Sequence, residues 1–314
     1  MDALTDLLDR TRARGAVVGQ SYLTPPWSWR FADAAPLTVV AMVRGTSWID
    51  VGDGPARIAA GDIAVVRGPE SFVVADPPET PVQVVISPDD TCRDPEGRDI
   101  GAALALDTRT CGDGPDSPAL LLFGEYRVRG EVDRRLLAAL PRLITVAGHE
   151  ITDSPLALVA AEIARDEPGQ QAVLDRLLDL LLIRGLRAWF ARPDAQPPSW
   201  YAARTDPLVG EALRLLHDDL AHAWTVGELA TKVGLSRAAF ARRFDQLVGE
   251  PPIAYLTGWR LCTAADLLAD TDHTVDTIAR QVGYANAYAL SVAFTRHYQV
   301  RPSDYRRSRR ARSD

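Results

Sequence analysis

Hydrophobic positions follow two regimes along this chain. Between Ala16 and about Pro88 they come in short β-type runs: "AVVGQSYL", "LTVVAMV", "SWIDV", "ARIA", "DIAVV", "SFVVA" and "VQVVI". Between them stand the turn sequences "DGP", "RGP", "DPP" and "SPDD". Many short strands bounded by Gly, Pro and Asp predict a sandwich or barrel. Residues 89–117 read as loop, and "ALLLFGEYRV" returns as one more strand. Beyond Glu131 the period becomes helical, in "VDRRLLAALPRL", "SPLALVAAEIARDE" and "GQQAVLDRLLDLLLIRGLRAWF". Ser154 before Pro155 has the form of an N-cap followed by proline at the first helical position. Residues 2–14 read as a short amphipathic helix. The proline-rich stretch "ARPDAQPPSWYAARTDP" predicts the domain boundary, and every element after it is helical.

That last region contains an internal repeat. Thr225-Val226 matches Thr274-Val275, Ala230 matches Ala279, and Val233-Gly234 matches Val282-Gly283. After a one-residue slip, Ser236 matches Asn286, Phe240 matches Leu290, and Phe244 matches Phe294; Pro252 matches Pro302, and Tyr255 matches Tyr305. Each copy predicts a helix, a glycine in the left-handed C′ position, a Ser or Asn N-cap, and a second helix. Helix, tight glycine turn, helix is the signature of a helix-turn-helix. One such copy also fits any α-bundle; two copies joined by a single helix are far more specific. The connecting helix, roughly 18 residues from about Pro252, spans about 27 Å, approaching the 34 Å or so of one DNA turn.

Charge supports that reading only when divided along the chain. The net formal charge is −7, but from Asp206 onward there are 14 Lys+Arg against 13 Asp+Glu, and the remainder holds 21 against 29. Arg301, Arg306, Arg307, Arg309, Arg310 and Arg312 crowd the C-terminus, so this part tolerates phosphates. The N-terminus is acidic and does not fit a secretory signal. The longest apolar run is interrupted by Asp175, Arg176, Asp179 and Arg184 and cannot span a bilayer. Three cysteines argue against a disulfide framework and for a cytoplasmic location.

The stretch "WTVGELATKVGLSRAAFARRFDQLVGEPPIAYLTGWRL…VDTIARQVGY…FTRHYQVRPSDYR" resembles the DNA-binding domain of the AraC/XylS family of transcriptional regulators, over about Pro207 to Arg307. Residues 1–190 are more loosely similar to the cupin-type sensor domain of one branch of that family. The resemblance implies an α+β chain, with a cupin-like effector-sensing and dimerisation domain at 1–192 and a linker at 193–206. A double helix-turn-helix domain at 207–307 and a basic tail at 308–314 complete it. It implies an activator-type regulator whose partners are double-stranded DNA, RNA polymerase, a small-molecule effector and a second copy of itself.

On that frame Ser236 caps the first recognition helix and Arg237 lies beside the phosphates. Ala238, Ala241 and Arg242 share its outward face, and Arg243 is a further phosphate contact. Arg242 can pair with guanine O6 and N7, which gives about 1–3 kcal/mol of discrimination. Asn286 caps the second recognition helix, whose outward face is Tyr288, Ser291 and Val292, with Thr295 and Arg296 at the backbone end. Family members often carry "SRAF" where this chain has "SVAF". Val292 therefore removes a hydrogen-bonding arginine, and the second contact is expected to be weaker or dominated by shape.

In the barrel, the rings Trp27, Trp29, Phe31, Trp48 and Phe72 are either core or the wall of an aromatic-lined mouth that suits an apolar effector. Arg44 or Arg67 at that mouth would orient a carboxylate. Metal-dependent cupins need a histidine-rich ligand set, but no histidine precedes His149 and Ser71 stands where such a cupin places one. No metal and no cofactor is therefore expected, and no nucleophile elbow or phosphate loop is present. Cys92 and Cys111 fall in the loop-like stretch beside Arg93 and Arg109, which leaves a thiol-based redox sensor open. A metal-free cupin enzyme fused to a DNA-binding domain and a purely architectural DNA binder also fit these residues. Leu174, Leu177, Leu178, Leu181 and Leu182 make an apolar stripe read as the homodimer interface.

Overall fold

A computed structural model describes residues 16–87, 91–126, 131, 137–195 and 197–310. The expected helix over residues 2–14 lies outside them, as do the first five residues of "VDRRLLAALPRL". The chain divides into two compact units, one built from residues 12–128 and 140–196, the other from 1–11, 129–139 and 197–314. Each is described by itself.

The first unit is a two-sheet β-structure. Its strands are β1 (Val17–Leu23), β2 (Trp27–Phe31), β3 (Leu37–Arg44), β4 (Thr46–Asp50), β5 (Ala56–Ala59), β6 (Ile63–Arg67), β7 (Phe72–Asp76), β8 (Val84–Ile86), β9 (Cys92–Arg93), β10 (Ala105–Asp107), β11 (Thr110–Gly112), β12 (Ala119–Tyr126) and β13 (Leu143–Val146). One sheet runs β10-β11-β1-β12-β3-β6-β13 and the other β5-β4-β7-β2-β8-β9. The β1–β11 and β2–β8 pairs are parallel. Alternating residues of both sheets interdigitate in one core that includes Trp27, Trp29, Phe31, Met42, Ile49, Phe72 and Phe123. Phe31 stacks on Phe72 with centroids 4.6 Å apart, and Phe123 meets Phe31 edge-on at 5.6 Å.

Two features depart from the sequence reading. The stretch 89–117 is not plain loop: it holds β9, a one-turn helix α1 (Gly101–Leu104), β10 and β11. The region beyond Glu131 is not wholly helical, because β13 pairs with β6. Both escape the hydrophobic pattern because two- to four-residue strands are too short to show a period.

Helices α2 (Leu156–Ile163) and α3 (Gln170–Phe190) complete this unit. Leu174, Leu178, Leu181 and Leu182 are buried within the monomer, and Leu177 is half-buried. Gly124 on β12 explains part of this: a Cβ there would sit 2.5 Å from Leu178 Cδ1, so its absence lets α3 lie close on the sheet. The leucine stripe is thus core, a correction to its reading as a dimer interface. The large apolar side chains α2 and α3 leave exposed are Leu158, Val173 and Leu180.

The second unit is helical: α4 (Ser199–Ala202), α5 (Pro207–Asp218), α6 (Val226–Lys232), α7 (Arg237–Val248), α8 (Pro252–Asp270), α9 (Val275–Gln281), α10 (Ala287–Tyr298) and α11 (Pro302–Arg310). The expected linker is structured at its end, where Trp200, Tyr201 and Ala203 are buried. Aromatic packing builds the core around the first helix pair: Phe244 meets Tyr255 at 5.8 Å, and Trp259 meets His217 at 4.6 Å. His217 Nε2 lies 2.8 Å from Tyr255 Oη, so its buried ring is a core group. Phe294, Tyr298 and Tyr305 do the same for the second pair. Among the described residues no helix is long and apolar enough to cross a membrane.

Candidate DNA interface and candidate effector cavity

The two helix pairs α6–α7 and α9–α10 are built by matching local chemistry. Thr225 Oγ1 accepts the N–H of Glu228 at 3.1 Å, and Thr274 Oγ1 accepts that of Thr277 at 3.1 Å. Each first helix ends on a left-handed glycine, Gly234 at φ +72° and Gly283 at φ +81°. The residue after each glycine returns its N–H to a carbonyl inside the helix end, Leu235 to Ala230 at 2.9 Å and Tyr284 to Ala279 at 2.7 Å. Only glycine adopts that turn without a Cβ penalty, and the paired bonds satisfy carbonyls that helix ends leave open. Ser236 Oγ then accepts from Ala239 N–H at 3.3 Å, and Asn286 Oδ1 from Ala289 N–H at 2.9 Å. These caps start α7 and α10 at fixed angles to the helices before them.

On α7, Phe240 and Phe244 point inward and are fully buried. Arg237, Ala238 and Arg242 are exposed and Ala241 is half-buried. Arg243 is not free, contrary to its reading as a phosphate contact: its Nε donates to Asp206 Oδ2 at 3.0 Å, and its Nη2 donates to the same oxygen. That guanidinium holds the Asp206 carboxyl below the usual carboxylate range, aided by the backbone N–H groups of Val209 and Leu208. Asp206 is at once the N-cap of α5 and the partner of α7.

On α10, Leu290 and Phe294 are buried, whereas Tyr288, Val292 and Arg296 are exposed and Ser291 and Thr295 are half-buried. The tail arginines are largely engaged. Arg306 Nε donates to Leu268 O at 3.1 Å, and Arg307 pairs with Asp304. Arg309 Nη2 donates to Glu131 Oε1 at 2.6 Å, the oxygen that also accepts from Tyr305 Oη at 2.7 Å. Burial pushes the Tyr305 phenol up. Glu131 precedes β13 in the chain yet belongs to the helical unit, a contact with no local sequence signal.

In the β-unit a cavity of about 270 Å³ is walled by Val17, Val18, Trp29, Ile86, Leu104 and Phe123, with Cys92, Arg109 and Cys111 at its border. Of the rings expected to line an effector site, only Trp29 does so. Trp27, Phe31 and Phe72 are packed into the inter-sheet core. Trp48 is half-buried and stands on the face of β4 opposite Ser47 and Ile49, outside that core. Arg44 is turned away to the carbonyls of Pro115 at 2.9 Å and Ser117 at 2.6 Å. Strand alternation explains these corrections: a strand shows only every second residue to one face.

The cavity's residues escaped the sequence reading because β9–β11 read as loop. Cys111 Sγ lies 3.3 Å from Ser21 Oγ. Arg109 donates to Gln170 Oε1 at 3.1 Å and to Gln171 Oε1 at 2.7 Å, which ties the cavity wall to the first turn of α3. Among the described residues no group of three or more His, Cys, Asp and Glu is placed to hold a metal ion.

Sheets enclosing a cavity in one unit and two capped helix-turn-helices in the other define a DNA-binding transcription regulator with a cupin domain. A cupin family model matches residues 2–191, and a helix-turn-helix domain model matches residues 229–308. A putative AraC-like transcription regulator of Streptomyces lividans is 31% identical over 98% of each chain. The HTH-type transcriptional regulator AlkR of Acinetobacter baylyi is 30% identical over 98% of this chain and 99% of its own. Among solved structures, the C-terminal domain of AraT, a response regulator from Geobacillus stearothermophilus, is 30% identical; the match covers 33% of this chain and 87% of that one at a TM-score of 0.33. The chain belongs to the AraC family of transcriptional regulators.

Proposed function

We propose that the chain is a cytoplasmic, non-catalytic, homodimeric regulator whose DNA binding answers to a small organic effector held between its sheets. The observation that carries this is the cavity bordered by Trp29, Cys92, Arg109, Cys111 and Phe123. An apolar cavity of about 150 Å³ is enough to hold benzene, so this one has room for a small organic molecule. Arg109 gives occupancy a route to α3 through Gln170 and Gln171. An effector shifts the DNA-binding arrangement only by its differential affinity for the two states, typically about 1–3 kcal/mol. Leu158, Val173 and Leu180 on α2 and α3 are the large apolar side chains left for a second copy, and RNA polymerase is the partner at a promoter. Ser236, Arg237, Ala238 and Arg242 on α7 and Asn286, Tyr288, Ser291, Val292, Thr295 and Arg296 on α10 form the DNA-facing sets.

The experiment is a screen of small aromatic and aliphatic molecules for a change in DNA affinity of the full chain, repeated on Cys111→Phe, which fills the cavity. The reading expects loss of the response with basal affinity within about twofold. A response that survives the filled cavity removes this site.

A second reading has its own observation: both Cys92 and Cys111 border the same cavity, and both are half-buried rather than sealed in the core. Two thiols in one cavity can pass two electrons and two protons to hydrogen peroxide, forming one disulfide and two waters. If Cys92→Ser and Cys111→Ser each abolish a peroxide response while no small molecule of the screen changes the DNA affinity, this reading replaces the first.

A further inference from the structure

We infer that the second recognition helix reads thymine through its C5-methyl group, using Tyr288 and Val292, while the first reads by hydrogen bonds. The inference rests on DNA binding by the two recognition helices and adds the base chemistry of the second. Tyr288 is 79% exposed and Val292 53%, although both are large apolar side chains. They lie four residues apart on α10 and so share one face, one turn above the other. Arg296 continues that face by a further turn, with Ser291 and Thr295 beside it.

The depression around them is also lined by Gln299, Arg301 and Ser303, and no carboxylate borders it. Asp276 and Asp304, the nearest acids in sequence, are each paired with an arginine, Arg280 and Arg307. An apolar strip flanked by two cations and hydroxyls, without a negative charge, suits a groove whose rims are phosphates and whose floor carries methyl groups. In the major groove only thymine presents a methyl, and an aliphatic side chain that covers it gains contact no other base provides. On α7 the outward positions hold Arg237 and Arg242 beside two alanines, so hydrogen bonding to base acceptors falls to that helix.

The test uses the full chain and a duplex enriched by it from a random pool at fixed salt. Each thymine of that duplex is replaced in turn by deoxyuridine, which removes the methyl and leaves every hydrogen-bonding edge in place. One or two thymines, about one helical turn from the base pair whose identity depends on Arg242, are expected to lose affinity about fourfold each, the worth of one buried methyl. In Val292→Ala the penalty at one of them disappears while the salt dependence stays unchanged. Reselection with Val292→Arg moves the preference there toward guanine. Both side chains are exposed, so an unaltered melting curve shows that the variants fold. Neutral deoxyuridine at every position, or penalties that persist in both Val292→Ala and Tyr288→Ala, overturns the inference. So does a Tyr288→Ala protein that keeps its DNA affinity and its penalties but loses transcriptional activation, which assigns the patch to a protein partner. Failure to enrich any duplex overturns the DNA-binding basis itself.

Discussion

The helix pairs α6–α7 and α9–α10 share caps, glycine turns and inward aromatic residues, yet they differ at nearly every outward position. One face carries Arg237 and Arg242, the other Tyr288 and Val292. What holds each pair together is thus separable from what it reads. The inward side chains and the turns set the scaffold, and the outward ones are free to vary because nothing in the fold depends on them.

The turns carry a further asymmetry. A Cβ on Gly234 would meet nothing within 4 Å, but one on Gly283 would sit 2.6 Å from Ala221 O and 2.6 Å from Arg260 Nη2. Arg260 itself donates to Leu220 O at 2.7 Å and His222 O at 2.6 Å, which holds the loop before α6 against the second turn. Gly234→Ala therefore incurs only the left-handed backbone penalty, about 1–2 kcal/mol. Gly283→Ala adds a backbone clash and the loss of Arg260's two bonds, each bond worth about 1 kcal/mol, so its cost should exceed that of Gly234→Ala by about 2 kcal/mol or more. Urea denaturation of the two variants measures the gap. Equal losses would break the claim that the second turn is the locked one.

The next comparison lies on DNA. Arg242→Ala is expected to relax discrimination at one base pair by about 1–3 kcal/mol while other positions keep theirs. Arg296→Ala, at the backbone end of α10, should weaken all sequences alike and reduce the salt slope by about 0.9. Competition binding against specific and random duplexes at several salt concentrations separates them. A uniform loss with Arg242→Ala would remove it as a base reader and make the two helices alike.

The unequal legibility of the molecule has the same physical root. The helix-turn-helix repeat was readable because caps, left-handed glycines and the 3.6-residue period are local, and local chemistry is written in adjacent residues. Strands β1 and β3 to β8 were readable in the same way, from runs and turns. The cavity was not: Cys92, Leu104 and Cys111 become neighbours only when β9 pairs with β8 and β11 with β1. The leucine stripe on α3 was visible, but its partner was not, because an apolar face looks the same whether it covers a sheet or a second subunit. Glu131 beside Tyr305 and Arg309 shows the limit most sharply, as 174 residues separate the carboxylate from the phenol it accepts.

The smallest expected effect concerns how freely the first helix meets the DNA backbone. Asp206 Oδ1 caps α5 by accepting from Leu208 N–H at 3.1 Å and Val209 N–H at 3.0 Å, while Oδ2 holds Arg243. Asparagine caps helices about as well as aspartate, so Asp206→Asn keeps the first role and ends the second. The ion pair is partly exposed, so its loss should cost little stability. The sign with pH follows from the lowered carboxyl. Its contribution is present above the unfolded value of about 3.9 and is lost as pH falls through the lower folded value, so variant and wild type should converge in stability at strongly acidic pH. Released from Asp206, Arg243 joins Arg237 as a cation on α7. DNA affinity at low salt should rise, and the dependence of log K on log salt should steepen by up to about 0.9. An unchanged slope would place Arg243 beyond reach of the phosphates, leaving Arg237 and Arg242 as the only arginines of α7 available to DNA.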